Sequence, residues 1–422
     1  EDHARAFAEA ADRFRSDVVF QLQWEISRKK QGLMAAYQRE RRRLDQEMAG
    51  RRKEAIAVLE RFVEHQPNHP LYTPEVLFRL AKLYYDQAQD DYMEAYAAYE
   101  EQRALHRRGK VADAPEEPRK NLDQAIRTYE RILERFPSFR NNDAVLYALG
   151  FTLRQVDEPD RATEVFQRLV RDHPRSNWVP DAWLMVGEAL FEQGRFADAV
   201  AAYRQAMGDP GARFYGIALY KLAWSHFQMF DYPTAIRTFK QLIDYLDGLH
   251  DRSDRATQIR NEAVEYLALS LADEDWNGDG LPDPDATVAR AIAFLSDGKP
   301  FEREVLERYG DALYQEFEKR KYPMALDAYR AVIALDPMDP RNAAVKEKII
   351  RVYETMRDEE GAVAERQDLV RTYGPGTPWY ERNRDHPEVL ARVDRRMEIA
   401  LHQVAQFHKG KAKGLRDQAV RS

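Results

Sequence analysis

The chain has 422 residues, of which 44% are hydrophobic and 32% are charged, with 19 Gly and 20 Pro. This composition excludes collagen-like and wholly disordered chains. The 65 basic and 72 acidic side chains give a net charge of −7 at pH 7, which argues against bulk binding to a nucleic-acid backbone. No apolar run approaches the roughly 18 residues that a membrane-spanning helix requires.

The chain contains no cysteine. This excludes disulfides, thiolate zinc sites and a cysteine nucleophile, and it suits a compartment in which stray thiols are oxidised. The first residue is Glu1 and not Met, so we expect that processing has removed a leader and, with it, any targeting signal.

Residues 1–54 are predicted to form a long amino-terminal helical arm. The segment is rich in Arg and Glu, and its scattered apolar residues suit a docking helix or a coiled-coil arm, although no unbroken heptad persists. Two basic runs, 39–43 and 51–53, could meet acidic lipid head groups, nucleic acid or an acidic partner. Such runs are more often solvated helix faces balanced by neighbouring carboxylates, here Asp45, Glu47 and Glu54.

One phrase recurs over residues 55–375: an alanine, an apolar or aromatic residue four positions later, another apolar residue three positions after that, and often a proline. Ala125, Tyr129, Ile132 and Pro137 form one copy. The spacing places the apolar groups on one helical face, and the proline ends the helix. The core alanines recur at 125, 162, 199 and 235.

A second helical pattern precedes most copies and carries a small residue twelve positions before the alanine, for example Gly150 before Ala162 and Gly187 before Ala199. A small residue there allows two helices to approach closely. Two antiparallel helices per unit cannot bury their apolar stripes alone, so neighbouring units are expected to stack.

These residues resemble the tetratricopeptide-repeat (TPR) family, most clearly over 183–191 and 194–203, which read WLMVGEALF and GRFADAVAAY. The resemblance implies an all-α TPR α-solenoid, a right-handed superhelix of about seven or eight helix hairpins. The longer repeats, with Phe-Pro-Ser or His-Pro-Arg-Ser between units, are similar to those of bacterial cell-envelope lipoproteins that serve outer-membrane assembly, Tol-Pal coordination or surface motility.

Two insertions interrupt the array, at 100–120 and at 273–286. The first is a polar excursion. The second is similar to the calcium loop of EF-hand and thrombospondin-type repeats, with oxygen ligands at alternating positions. The closing bidentate acid is displaced by one residue, because Ala286 occupies its place. The alternative is a polar connector held by Asx turns without metal. The predicted ligands of a Ca²⁺ ion are Asp275, Asn277, Asp279, Leu281 through its carbonyl, Asp283 and Asp285.

Residues 376–422 are predicted to form a carboxy-terminal capping helix that ends in a basic tail from Lys409 onward. Solenoid ends need such atypical elements, because they cover an apolar face that would otherwise lie in water.

Aromatic residues recur on the first helix of each pair at positions expected to line the concave groove. Rings with a polar surround are typical of peptide or helix recognition. The alternative is that the rings pack as ordinary core, since aromatic stripes at helical spacing usually do. The predicted partner-binding residues are Phe78, Tyr85, Tyr147, Phe151, Phe191, Tyr220, Trp224 and Phe227.

The sequence carries no zinc-protease histidine motif, nucleophile elbow or glycine-rich phosphate loop, so we expect no enzyme activity. We expect a scaffold that binds segments of other proteins, not nucleic acid, and that meets a membrane only through a lipid anchor outside this chain. The resemblance implies a periplasmic location, with possible anchoring at the outer membrane. Two alternatives stay open: a cytoplasmic adaptor or co-chaperone of the same fold, and the repeat domain of an enzyme whose catalytic part lies elsewhere.

Overall fold

The computed structural model describes residues 2–208, 211, 213–249, 253–315 and 321–421, with side chains from residue 27 onward except at 31–32, 35–36, 38, 42 and 420–421. Within these ranges every regular element is an α-helix. The chain divides into two compact units, Glu1–Val179 and Pro180–Ser422.

Five helices belong to the first unit: α1 (Asp2–His65), α2 (Tyr72–Arg107), α3 (Asp123–Arg135), α4 (Asn142–Gln155) and α5 (Pro159–Asp172). The remaining helices are α6 (Val179–Glu192), α7 (Phe196–Met207), α8 (Tyr215–Gln228), α9 (Tyr232–Gly248), α10 (Asp254–Ala272), α11 (Val288–Phe294), α12 (Glu302–Gln315), α13 (Tyr322–Leu335), α14 (Asn342–Met356), α15 (Glu359–Tyr373), α16 (Pro378–Arg382) and α17 (Pro387–Arg421).

Helices α2 to α15 follow one another as first and second members of helix pairs. Proline stands in the first turn of the second helices α5, α9 and α13, where its fixed φ suits a helix start and its missing N–H costs nothing. Gly194, between α6 and α7, has φ 73°, a left-handed conformation that glycine adopts without strain. These local signals produce the tight turns that the repeat needs.

In three helix pairs a glycine of the first helix lies against an aromatic ring of the second helix. A Cβ atom built on Gly187 would stand 2.6 Å from the Tyr203 ring, and one on Gly150 would stand 2.8 Å from the Phe166 ring. Gly310 and Tyr329 repeat the arrangement at 2.8 Å. All three rings are buried. The predicted close approach of the paired helices is thus present, and glycine is required because any side chain would collide with the ring.

Polar side chains tie consecutive repeats together in the second unit. The Tyr203 hydroxyl donates to the Glu188 carboxylate over 2.7 Å, and Lys221 of the next first helix, α8, donates to the same carboxylate over 2.7 Å. Tyr329, Asp311 and Lys348 repeat this bridge with distances of 2.8 and 2.7 Å. A tyrosine buried beside glycine therefore has its hydroxyl satisfied by the residue that follows the glycine.

Helix α1 runs without interruption past residue 54, and its last part, residues 52–63, packs against α2. Ile56 and Val63 are buried there, Arg52 forms an ion pair with Asp90, and the Tyr84 hydroxyl donates to Glu60 over 2.6 Å. Helix α2 continues to Arg107, inside the predicted insertion, before an irregular segment leads back to α3.

The carboxy-terminal helices cover the last pair, α14 and α15. Trp379 of α16 is 2% exposed and donates its indole N–H to the Asp339 carbonyl over 2.9 Å. Val393 and Met397 of α17 join the same buried cluster as Leu369. No helix in the described part of the chain has an apolar stretch long enough to cross a bilayer.

Candidate functional site

The eight predicted groove aromatics divide equally between the two units, and we describe them separately. In the first unit Phe78 is only 9% exposed and contacts the rings of Tyr129 and Phe139, with centroids 6.1 and 6.5 Å away. The Lys82 ammonium lies 4.2 Å from its ring centroid. Phe78 thus packs as core, which is the alternative that the sequence left open.

The other predicted aromatics of the first unit retain more solvent contact. Tyr147 is half-buried and stacks on Trp178, with 4.3 Å between the centroids. Phe151 is 40% exposed. Tyr85 is half-buried, and its burial, together with the charge of Asp86, raises the pKa of its hydroxyl. These rings lie along α2 and α4 without forming one continuous cluster.

Helices α8 and α10 bring the aromatics of the second unit together. The Trp224 centroid lies 4.1 Å from that of Tyr266 and 5.8 Å from that of Phe227. Tyr220 meets Trp224 edge-on at 6.3 Å. All four rings are half-buried, so each keeps part of its surface in solvent. We call Tyr220, Trp224, Phe227 and Tyr266 the aromatic patch.

Hydrogen bonds and charges fix the border of the aromatic patch. The Tyr220 hydroxyl donates to Glu262 over 2.6 Å, and burial and this contact raise the pKa of the hydroxyl. Phe191 of α6 contacts Phe196 at 5.0 Å, and the Lys221 ammonium lies 5.6 Å from the Phe191 centroid. Rigid rings bordered by carboxylates and an ammonium group can bury apolar side chains of a peptide and pair with its charges.

Sequence reasoning missed Tyr266, whose ring makes the closest contact with Trp224. In the other repeats the groove positions were found from the spacing between the two helices of a pair. The insertion at 273–286 separates α10 from its short partner α11 and destroys that spacing. An aromatic residue on the first helix itself was the only signal left.

In the acidic loop between α10 and α11, side-chain oxygens accept backbone hydrogen bonds. The two carboxylate oxygens of Asp275 accept N–H bonds from Gly278, Asp279 and Gly280, at 2.8 to 3.1 Å. Asn277 and Asp279 each accept from the residue two positions later, over 2.8 Å. These are Asx turns of the kind expected of a polar connector.

A positive charge from the chain itself lies against the same loop. The Arg290 guanidinium is 3.2 Å from Asp283 and 3.5 Å from Asp285, and it donates to the Asp273 carbonyl over 2.6 Å. It also lies over the Trp276 ring at 3.8 Å. Two of the six predicted calcium ligands therefore already contact a cation, and Leu281 points its side chain into solvent at 66% exposure.

Within the described ranges, no group of three or more His, Asp and Glu side chains is arranged as a metal-binding cluster. The calcium prediction stays a prediction, and the hydrogen bonds of the Asx turns can hold the loop without metal. The repeat architecture is typical of non-catalytic scaffolds.

Family comparisons identify the repeats directly. Two family models described as tetratricopeptide repeat match this chain, one over residues 147–212 and the other over residues 103–138 and 217–245. No curated protein matches the chain significantly.

Solved structures of repeat proteins superpose on parts of the chain. The carboxy-terminal part of a TPR repeat-containing protein from Cytophaga hutchinsonii is 16% identical and covers 70% of this chain and 94% of its own, with a TM-score of 0.38. A tetratricopeptide repeat protein from Parabacteroides merdae is 15% identical, covers 71% and 99%, and has a TM-score of 0.30. The TPR2AB domain of yeast Sti1, solved as a complex with pHSP90, is 15% identical, covers 65% and 96%, and has a TM-score of 0.27.

The matched segments coincide with helices whose glycine–aromatic contacts define the helix pairs, as at Gly150 with Phe166 and Gly187 with Tyr203. The chain therefore contains tetratricopeptide repeats within residues 103–138, 147–212 and 217–245, and its described helices have the all-α fold of a TPR solenoid, an architecture that typically serves protein–protein interaction.

Proposed function

We propose that this chain is a non-catalytic scaffold that binds an extended segment or a helix of a partner protein on the first-helix face of its second unit. The observation that carries the proposal is the aromatic patch. Three of its four rings were predicted from sequence as groove residues, and all four keep part of their surface in solvent. Half-exposed rings on a rigid support lose little conformational entropy on binding and bury a large area.

The charged border supports a polypeptide as the ligand. Glu188 and Glu262 are held by Lys221 and Tyr220 respectively, so their positions are fixed before a partner arrives. Fixed charges around an apolar centre favour one register of an incoming chain over others. In the first unit, Tyr147 and Phe151 offer a smaller exposed aromatic surface that could contact a second segment of the same partner.

We place this activity in a bacterial cell-envelope complex in the periplasm. The absence of cysteine and the similarity of the long repeats to those of envelope lipoproteins support this placement. An outer-membrane assembly, Tol-Pal-like or surface-motility machine is the proposed setting. Fractionation of the source cells should recover the chain with periplasmic or envelope proteins, and recovery in the cytosol would contradict the placement.

Affinity capture with a groove variant tests the binding surface. We expect Tyr220→Ala with Trp224→Ala to reduce partner capture from envelope extracts at least about tenfold, because truncation of one central aromatic residue often costs 2 kcal/mol or more. The matched control is Phe230→Ala, an aromatic residue that is 66% exposed in the turn before α9.

Circular dichroism of the same variants separates binding from folding. The proposal requires that the double variant keep its helicity and that Phe230→Ala capture the partner as the unchanged chain does. Equal capture by the double variant would disprove a partner site at these rings, and a large loss of helicity would show that they serve the core instead.

We also propose calcium as a weak ligand of the acidic loop, through Asp275 and Asp279. Arg290 competes for Asp283 and Asp285, so uptake should require calcium near the millimolar range of weak extracellular sites. Isothermal titration should show tighter uptake by Arg290→Gln than by the unchanged chain, and none by Asp275→Ala with Asp279→Ala. No uptake by either the unchanged chain or Arg290→Gln would remove calcium from the function.

A further inference from the structure

The middle of α1, over residues 33–48, exposes a row of large apolar side chains. Leu33 is 73% exposed, Tyr37 64%, Met48 58%, Met34 49% and Leu44 46%. At 100° per residue, Leu33, Tyr37, Leu44 and Met48 fall within about 60° of one another around the helix axis, with Met34 at their edge. We call these five residues the α1 stripe. It extends over about 22 Å of helix.

The same helical face continues into residues 55–63 of α1, where α2 covers it. Ala55, Leu59 and Phe62 lie at the same angular positions as the α1 stripe and are half-buried, beside the buried Ile56 and Val63. In the part of α1 whose side chains are described, this apolar face is thus exposed over residues 33–48 and packs against α2 over residues 55–63. Contact of the α1 stripe with water is unfavourable unless another surface covers the stripe.

Basic residues are concentrated around the α1 stripe. Between residues 28 and 53 the sequence has ten Lys and Arg against three Asp and Glu, a local net charge of +7 in a chain whose total is −7. Lys30, Arg41 and Arg51 fall on the same face as the α1 stripe, and all three are exposed. Carboxylates stand at the borders of the face: Glu40 and Glu47 pair with Arg43 and Arg51 on one side, and Asp45 lies 3.9 Å from Arg41 on the other, so seven positive charges of the segment are left in excess.

This pattern distinguishes between possible covering surfaces. A helix of another protein packed on the α1 stripe would meet a segment with a net charge of +7, which is costly unless the surface of that helix is itself acidic. A nucleic acid would pair with the cations and leave the five apolar side chains in water. At a membrane surface the long stems of Lys and Arg lie along the apolar region while their charged ends reach the lipid phosphates.

We propose that residues 28–53 of α1 form a membrane-surface helix that binds anionic lipid bilayers, with the α1 stripe entering the boundary between head groups and acyl chains. The cations attract the anionic head groups, and the apolar side chains supply the contact that persists when salt screens the charges. Because this surface belongs to α1 alone, the proposal is independent of partner binding at the aromatic patch.

Co-sedimentation of the full-length chain with lipid vesicles tests the proposal. We expect binding to phosphatidylcholine vesicles that contain about 30% phosphatidylglycerol, and at least about tenfold weaker binding to pure phosphatidylcholine. Leu33→Ser with Tyr37→Ser and Leu44→Ser should weaken binding to the anionic vesicles at least about tenfold. Lys30→Gln with Arg39→Gln and Arg41→Gln should do the same.

The matched control replaces three apolar residues of the first unit that are exposed outside the α1 stripe, Val58→Ser, Leu71→Ser and Met93→Ser. It should bind vesicles within about twofold of the unchanged chain. Circular dichroism should show equal helicity in all variants.

Three results would overturn the proposal. The first is no binding to anionic vesicles, and the second is equal binding to neutral ones. The third is full binding by the stripe variant, since charge alone would then be sufficient. Binding of both the unchanged chain and the stripe variant to soluble polyglutamate or duplex DNA, without vesicle binding, would assign the surface to an acidic polymer.

Discussion

Two sets of aromatic residues in the second unit differ in their burial although they lie on neighbouring helices. Tyr203 and Tyr329 are at most 1% exposed, each against a glycine of the preceding helix and with its hydroxyl bonded to a carboxylate. Tyr220, Trp224, Phe227 and Tyr266 contact one another and stay half-buried. The first set joins the helices of a pair, and the second lies on the face of the first helices.

The difference shows that ring chemistry alone does not decide between core and binding surface. In these two sets the residue opposite differs: Gly187 and Gly310 leave space that a tyrosine ring fills completely, whereas the rings of the aromatic patch contact one another and stay half-buried. The first arrangement contributes mainly to stability. The second keeps apolar area available for a partner, at the cost of leaving it partly in water.

Truncation of one ring from each set should give the largest effect. We expect Tyr203→Ala to lower the free energy of unfolding by about 4 kcal/mol, because it leaves a large cavity, and Trp224→Ala to lower it by only about 2 kcal/mol, because part of its ring is already solvated. Urea denaturation followed by circular dichroism measures both. Equal losses would mean that Trp224 is a core residue and that the distinction fails.

A side chain at the glycine should disturb the interior nearly as much. The Cβ of Gly187→Val would stand 2.6 Å from the Tyr203 ring, so we expect a loss of about 3 kcal/mol from overpacking. Gly248→Val is the matched control, because nothing lies within 4 Å of a Cβ built there. A loss at Gly187→Val no larger than at the control would refute the close approach of α6 and α7.

Removal of the hydroxyl should have a smaller effect. Tyr203→Phe keeps the ring and deletes the bond to Glu188, which retains Lys221, so we expect a loss of about 1 kcal/mol. A double-mutant cycle with Lys221→Met should show coupling between the two side chains through Glu188. Strict additivity would indicate that the bridge contributes nothing to the stacking of the two repeats.

The smallest expected effect is on the pH dependence of the free energy of unfolding. It distinguishes the buried side of α8, which carries His226, from the side that carries the aromatic patch. Burial lowers the pKa of His226 below its usual 6.5; Asp231, whose carboxylate is 3.0 Å from its Nδ1, opposes this shift, and Arg204 and Arg237 add to it. The unfolded chain therefore binds a proton more readily, so stability is fully present above pH 6.5 and falls as the pH drops towards the folded-state pKa. The slope is at most that of one proton, about 1.4 kcal/mol per pH unit.

His226→Gln should flatten the stability profile between pH 6.5 and 5, measured by urea midpoints. The aromatic-patch variant Trp224→Ala should keep the slope of the unchanged chain, because Tyr220 has a raised pKa and does not titrate there. Loss of the slope in Trp224→Ala, or its persistence in His226→Gln, would show that the interior of α8 is not its source.

Local sequence signals predicted the helices and their pairing. The alanine–aromatic spacing and the small residue twelve positions earlier predicted the pairs that Gly150 and Phe166, or Gly187 and Tyr203, now show in contact. Such signals are legible because each repeat satisfies its geometry within about 34 residues. The resemblance to tetratricopeptide repeats and the all-α fold are confirmed.

The candidate site was only partly predictable, because burial depends on residues distant in sequence. Phe78 had the spacing of a groove residue, but Tyr129 and Phe139 cover it. Tyr266 was missed because an insertion removed the spacing that identified its counterparts. The acidic loop matched a calcium motif, but the motif ends before Arg290, which contacts two of its carboxylates.

The sequence by itself thus determined the secondary structure, the repeat and the family, since helical periodicity and turn chemistry act between residues a few positions apart. Only the tertiary structure decided which rings are solvated, where Arg290 places its charge and which residues of α1 are covered by α2. Those properties depend on what lies across a helix–helix contact, and no local pattern encodes the surface that a side chain will meet.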